Sequence, residues 1–390
     1  MFSGGINLGK LFGISIKIDW SWFFIFLLVT WQLAVGVFPS LQPEWNTIIH
    51  WLMAILASLM FFGSVLAHEL AHSLMAKVRG LPVRRITLFL FGGVSNLERE
   101  PASPLTEFLV TIVGPITSFV LGGLFLYISS TLAGDIAIEG LSATQFLAGL
   151  GPFASLFLWL GSINILLAVF NLVPGFPLDG GRVLRSILWA VTGNLKRSTR
   201  LASMVGQGIA WVFIIAGIAM AFGFAIPPFQ PSLIGGLWLA FIGWFLNMAA
   251  AQSYQQVVIR DLLEGVNVER LMRREPPIVS PYTEINHLVD DFIMRTDEHA
   301  FPVVDEDRLV GIICLDDVRK VPRSEWEHKQ VGDVMTPYER LEFVGPREDA
   351  MEAFQRIQSR DIRQLPVIDR GELVGLLRRR DILKWLELQQ

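Results

Sequence analysis

Six stretches of this chain are long and apolar enough to cross a lipid bilayer, and they limit its fold more than any other feature. A membrane-spanning helix needs about 20 mostly apolar residues. Trp20–Val37, Ile48–Ala76, Phe108–Leu132, Phe146–Val173, Leu201–Ile226 and Ser232–Ala251 each supply such a run. Runs this frequent are hard to bury in one soluble core. Charge then divides the chain in two. Residues 1–259 hold 12 Lys/Arg and 9 Asp/Glu, whereas residues 260–390 hold 20 and 27. The expected fold class is a polytopic α-helical membrane protein of about six transmembrane helices, followed by a soluble, cytosolic α/β module. Net charges of +3 and −7 on the two parts argue against a nucleic-acid partner. The single cysteine, Cys314, excludes a disulfide framework and a Cys-built zinc site. The opening MFSGGINLGKLFG has no short apolar core with a cleavage site, so no removable signal peptide is expected.

Cations set the expected orientation. Lys10 and Lys17 precede the first span. Lys77, Arg79, Arg84, Arg85 and Arg99 lie between spans two and three, and Arg182, Arg185, Lys196, Arg197 and Arg200 between spans four and five. The other three inter-span loops carry no Lys or Arg. The positive-inside rule makes the cationic side cytoplasmic. Both termini are then cytosolic, and Glu44, Asp135 and Glu139 face outward. Trp20, Trp22, Trp45 and Trp51 sit near span ends, where aromatic belts are expected.

Span two contains His68-Glu69-Leu-Ala-His72. Histidines at i and i+4 share one helical face, so both imidazoles can reach one ion. Glu69 sits beside that face and can take a proton from a water activated there. Ionisable groups at membrane depth are costly and functional by default. A catalytic zinc site needs a third protein ligand and an open position. His50 lies at the other end of the span, and His287, His299 and His328 lie in the soluble part. The third ligand is therefore expected to be a carboxylate. Asp179 leads, in Asn171-Leu-Val-Pro174-Gly-Phe-Pro177-Leu-Asp179-Gly180-Gly181, where prolines stop a helix and glycines allow close backbone approach. Asp19, Glu98, Glu100 and Glu107 compete with it.

His68-Glu69-x-x-His72 within a span, joined to a distant Asn-x-x-Pro-x-x-Pro-Leu-Asp-Gly-Gly stretch, resembles the site-2 proteases, which are intramembrane zinc metalloproteases. Gly9-Lys-Leu-Phe-Gly13-Ile is similar to that family's amphipathic start, Phe91-Gly92-Gly93 to its membrane-associated substrate loop, and Gly114-Pro115 to a further signature. The resemblance implies one zinc ion per chain held by His68, His72 and Asp179, with Glu69 as general base and Asn171 positioning substrate or stabilising the oxyanion. It implies a membrane-protein substrate, single-pass, such as an anti-sigma factor or a transcription-factor precursor, in the plasma membrane of a bacterium or archaeon. The run Arg84-Arg85-Ile-Thr-Leu-Phe-Leu-Phe91 reads as a strand, and it is expected to pair with an unwound substrate.

The last third repeats internally. Val268-x-x-x-Met272, Phe301-Pro302-Val-Val-Asp305, Leu309-Val-Gly311 and Asp317 recur as Val331-x-x-x-Met335, Leu365-Pro366-Val-Ile-Asp369, Leu373-Val-Gly375 and Asp381. The pattern alternates short strands with amphipathic helices and resembles a tandem pair of CBS domains. That family often binds adenine nucleotides and often forms homodimers. Asp317 and Asp381 match its ribose-contacting aspartates, while the Ser/Thr three positions earlier is Cys314 and Arg378 here. The expected boundaries are a transmembrane metalloprotease domain over 1–251, a connector over 252–267, and CBS domains over 268–325 and 326–390. A channel or transporter gated by its CBS pair is the alternative, and an inactive membrane scaffold a third reading. Neither requires Glu69 beside a histidine pair.

Overall fold

The structure is a computed structural model that describes residues 4–90, 92–97, 101–134, 147, 149–226 and 231–389. Two units separate, Met1–Gln255 and Gln256–Gln390. In the first, six helices among the described residues are long and apolar enough to cross a membrane: α1 (Trp20–Leu41), α2 (Thr47–Val78), α3 (Pro104–Ala133), α4 (Pro152–Asn171), α6 (Leu195–Ala221) and α7 (Leu233–Leu263). An additional helix, α5 (Asp179–Thr192), lies between α4 and α6. Side chains start these helices where the sequence changes character. Asp19 caps α1 through the Ser21 N–H, Asn46 caps α2 through Ile49, and Ser103 caps α3 through Thr106, each satisfying an otherwise orphaned donor. Phe24, Leu27, Ile55, Val120, Trp211 and Trp244 stay exposed, an apolar surface that is stable against lipid. The polar positions of α2 face inward instead: Ser58, Ser64, His68, His72 and Ser73 are all buried.

A four-stranded sheet joins the helices in the order β1 (Ile6–Leu11), β2 (Ile14–Ile18), β3 (Val83–Phe89) and β4 (Gly92–Leu97). The stretch read as an amphipathic start is a hairpin. Its two-residue turn, Phe12-Gly13, has both φ angles positive, 52° and 77°, which matches the twist of a tight antiparallel hairpin. The run read as a substrate-pairing strand forms β3, but β3 cannot take an incoming strand. It pairs with β2 in parallel and with β4 antiparallel, so both its edges are used. The free edges belong to β1 and β4. Gly92 and Gly93 begin β4, and Phe91 lies outside the described residues.

The second unit repeats as the sequence does. β5 (Ala300–Asp305) and β6 (Arg308–Cys314) form one antiparallel pair, and β8 (Gln364–Asp369) and β9 (Glu372–Arg378) the other. Each pair is completed by a segment from the opposite repeat. β7 (Thr336–Pro337) docks on Gly311 and Ile312 of β6, and Arg273 bridges to Leu376 of β9. Gly311 and Gly375 are glycine for this reason. A Cβ at either would meet the sulfur of Met335 at 2.6 Å or of Met272 at 2.8 Å. The helices α8 (Ala350–Ser359) and α9 (Arg379–Leu388) close the second repeat's core on Leu365, Val367 and Leu377. Residues 252–263, expected as connector, continue α7 as helix.

Candidate metal centre

His68 and His72 lie one turn apart on the buried face of α2. α4 stops at Asn171, and Pro174, Gly175 and Pro177 lie in the turn that reverses the chain so that Asp179 opens α5. Close approach makes this turn possible. A Cβ at Gly180 would sit 2.3 Å from the carbonyl oxygens of Leu172 and Val173, and one at Gly181 2.3 Å from the Gly175 carbonyl carbon. The turn delivers Asp179 Oδ2 to 3.1 Å from His68 Nε2 and 3.1 Å from His72 Nε2, and the two Nε2 atoms are 3.1 Å apart.

Three ligand-type atoms brought this close could hold a cation between them. His72 Nδ1 lies 2.7 Å from the Val110 carbonyl oxygen, which only accepts, so Nδ1 donates and the neutral ring keeps its lone pair on Nε2. His68 Nδ1 is 2.9 Å from Ser118 Oγ. Partners on the far ring nitrogens are what metal-binding histidines need for orientation. Tetrahedral zinc with bonds of about 2.0–2.1 Å sets its ligand atoms about 3.3 Å apart, close to the spacing found. Among the described residues this is the group of His, Cys, Asp or Glu side chains arranged to hold an ion, so the chain's residues fit zinc. Gly114 makes room for it: a Cβ there would lie 2.1 Å from His72 Nε2 and 2.8 Å from His68 Nε2.

The other carboxylates are committed elsewhere or undescribed. Asp19 accepts from Ser21, Glu107 is bonded to Arg185, and Glu98 and Glu100 lie outside the described residues. Glu69 follows His68 on α2, and β4 packs against it. A Cβ on Gly93 would come within 2.3 Å of Glu69 Cγ. Asn171 is the half-buried last residue of α4, directly before the carbonyls that Gly180 approaches. No hydrogen bond ties it to the three convergent groups among the described residues. Val110 and Ser118 are site neighbours that the sequence alone did not single out, and Glu107, read there as a competing ligand, is instead the partner of Arg185. A serine in an apolar helix has too many structural uses to be read as an imidazole partner.

In the second unit, Asp317 accepts from the Cys314 N–H at 3.1 Å and from exposed Lys320 Nζ at 2.9 Å. Asp381 differs. Arg378 Nε and Nη2 hold its two oxygens at 2.6 Å each, and Arg378 also bonds Glu298. A guanidinium therefore occupies both oxygens of the Asp381 carboxylate.

Taken together, the first unit is a multi-pass membrane domain in which two buried histidines and a half-buried aspartate converge, beside a glutamate, in a group that could hold a metal ion. The model of "Peptidase family M50" matches residues 56–215, and that of the "CBS domain" matches 268–324 and 331–388. A Synechocystis protein named "Putative zinc metalloprotease" is 34% identical over 99% of this chain and 96% of its own. A zinc metalloprotease of Methanocaldococcus jannaschii is 29% identical over 98% of this chain and 96% of its own. The solved site-2 protease from that archaeon covers 64% of this chain and 95% of its own, at 27% identity and a TM-score of 0.41. The chain belongs to peptidase family M50, the site-2 proteases, as a zinc metalloprotease that carries a C-terminal pair of CBS domains.

Proposed function

We propose that the chain hydrolyses a peptide bond within or near a transmembrane segment of a membrane-protein substrate, with His68, His72 and Asp179 holding its zinc and Glu69 as general base. One observation carries this reading: His68 Nε2, His72 Nε2 and Asp179 Oδ2 converge at 3.1 Å inside a bundle of apolar helices, with Glu69 next in sequence. Zinc, when bound, supplies the charge that makes a water nucleophilic near neutral pH and polarises the scissile carbonyl. Glu69 takes the proton of the attacking water and returns it to the leaving amine. Asn171, at the mouth of the Asp179 turn, is the donor offered to the developing oxyanion. An unwound substrate segment finds a free strand edge on β4 rather than β3, and the packing of Gly93 on Glu69 supports that route.

The distribution of Lys and Arg supports cytosolic termini in the plasma membrane of a bacterium or archaeon. The relatives' organisms, Synechocystis and Methanocaldococcus jannaschii, agree with a bacterium or archaeon, and a single-pass regulatory precursor is the substrate class we favour. The CBS pair would act on proteolysis through an adenine nucleotide or through homodimerisation. Of its two aspartates, Asp317 is the one whose side-chain partner is an exposed lysine, Lys320, rather than a guanidinium held on both oxygens.

The test is metal analysis together with cleavage of a panel of tagged membrane-spanning substrates, comparing the parent with Glu69→Gln. Zinc should be retained in both. Cleavage should fall about 100-fold or more in the variant, the scale expected for a lost general base. Undiminished cleavage in the variant would remove Glu69 from the general-base role, and a parent that cleaves nothing but carries an ion flux tolerant of the substitution would favour the channel or transporter reading instead.

A further inference from the structure

Glu107, Val110, Gly114 and Ser118 recur on α3 at spacings of three and four, so they share one helical face. Three of these positions handle the histidines. The Val110 carbonyl accepts the hydrogen bond from His72 Nδ1, Ser118 Oγ meets His68 Nδ1, and Gly114 leaves space for both rings. The fourth, Glu107, is fully buried and reaches α5. Its Oε1 accepts from Arg185 Nε at 2.7 Å and also from Arg185 Nη2, and Arg182 Nε lies 3.8 Å away. Arg185 is itself 5% exposed, with Phe176 against its guanidinium. Asp179, Arg182 and Ser186 follow one stripe of α5, with Arg185 beside it, and Arg185 sits about 9 Å along the axis from Asp179.

We propose that the Glu107–Arg185 ion pair is a positioning device that sets the axial position and rotation of α5, and so holds Asp179 in register with His68 and His72. The inference rests on the metal-centre reading above. A turn of glycines and prolines fixes where α5 begins but leaves its rotation to side chains, and each residue of slip rotates a helix by about 100°. A fork of two donors on one carboxylate oxygen restricts both movements. The same face of α3 then aligns all three converging groups: two rings by direct hydrogen bonds, one carboxylate through a rigid helix. Stability alone does not explain the pair. A buried ion pair commonly contributes little against packed apolar side chains of equal volume, and here Glu107 Oε2 is buried with no partner among the described residues.

The experiment uses the full chain in lipid nanodiscs, stripped of metal and titrated with Co2+, whose visible spectrum reports ligand geometry. Three variants are compared with the parent: Glu107→Leu with Arg185→Met, Glu107→Gln with Arg185→Gln, and Asp179→Ala. The first two keep the volume between α3 and α5, and their metal-free melting should stay near that of the parent. Co2+ affinity should fall about 10- to 100-fold, the cost of losing an outer-shell support, with an altered spectrum. Parent-like affinity and spectrum in either folded double variant would overturn the proposal. So would a metal-free protein that fails to fold in both, because the pair would then serve only to hold the helices. Asp179→Ala separates the two readings. If it too binds Co2+ as the parent does, the metal centre itself is wrong. If it alone loses affinity, only the positioning role is.

Discussion

Gly114 and Gly123 sit on the same helix, yet they answer to different forces. An added methyl at Gly114 meets His72 Nε2 at 2.1 Å and His68 Nε2 at 2.8 Å, whereas one at Gly123 meets nothing within 4 Å. Helix propensity alone favours Ala over Gly by about 1 kcal/mol at an interior position. At Gly123 that preference stands unopposed, so Gly123→Ala should leave cleavage unchanged and raise thermal stability slightly. At Gly114 the overlap is with imidazole nitrogens whose rings are held from behind by Val110 and Ser118, so the rings must move. A displacement near 1 Å in a catalytic constellation costs about 100-fold. Gly114→Ala should therefore lose cleavage on that scale while remaining helical by circular dichroism. Equal activity in the two variants would mean that the rings have slack the hydrogen bonds do not suggest.

Elements differ in how far the sequence reveals them, and the difference follows from the range of the forces involved. Six long apolar runs announce α1 to α4, α6 and α7 because burial in lipid needs only length and composition. The His-Glu-x-x-His spacing announces itself because both ligands lie on one helix. The β1–β2 hairpin depends on two positive φ angles at Phe12 and Gly13, which a reading by apolar pattern passes over. α5 passes for part of a loop in the sequence, since its 14 residues are too few and too polar to resemble a span. Its tie to α3 joins residues 78 apart, and no local pattern carries that. In the CBS pair the repeat was legible, but the consequence of Arg378 was not. Only the folded chain shows its guanidinium clamped on both oxygens of Asp381. If the pair binds an adenine nucleotide as proposed above, its two aspartates should consequently behave unequally. In calorimetric titrations with ATP, Asp317→Ala should weaken binding at least 10-fold, and Asp381→Ala should change it less than twofold. Arg378→Thr should add a second, Asp381-dependent site. Equal losses at the two aspartates would show that the clamp opens readily in solution.

At the scale of the whole molecule, charge separates two solvents. The first 259 residues hold 9 carboxylates, and the remainder hold 27. One of the 27, Glu298, is buried between the repeats with Arg273, Arg378 and Arg380 all directed at Oε1. Burial alone would raise its pKa, but the Arg378 hydrogen bond and the charges of Arg378, Arg380 and Arg273 outweigh that and hold it below the usual carboxylate range. A carboxylate whose folded pKa is depressed contributes stability that is complete above its unfolded pKa, about 4.3 for Glu, and is lost as pH falls through the folded value. Acid should thus act on the second unit first. Protonating Glu298 leaves three guanidinium groups facing one another around a neutral acid. The helices of the first unit are held mainly by apolar contact with lipid and by internal backbone hydrogen bonds, neither of which titrates. Hydrogen exchange measured segment by segment in nanodiscs should show protection across residues 268–389 constant from pH 8 to about pH 5 and falling below about pH 4.3, while α2 and α3 stay protected. Glu298→Gln should lower the protection of that segment at neutral pH and flatten its dependence on acid. Protection that survives to pH 3 in the parent would mean that the cluster is not what joins the two repeats.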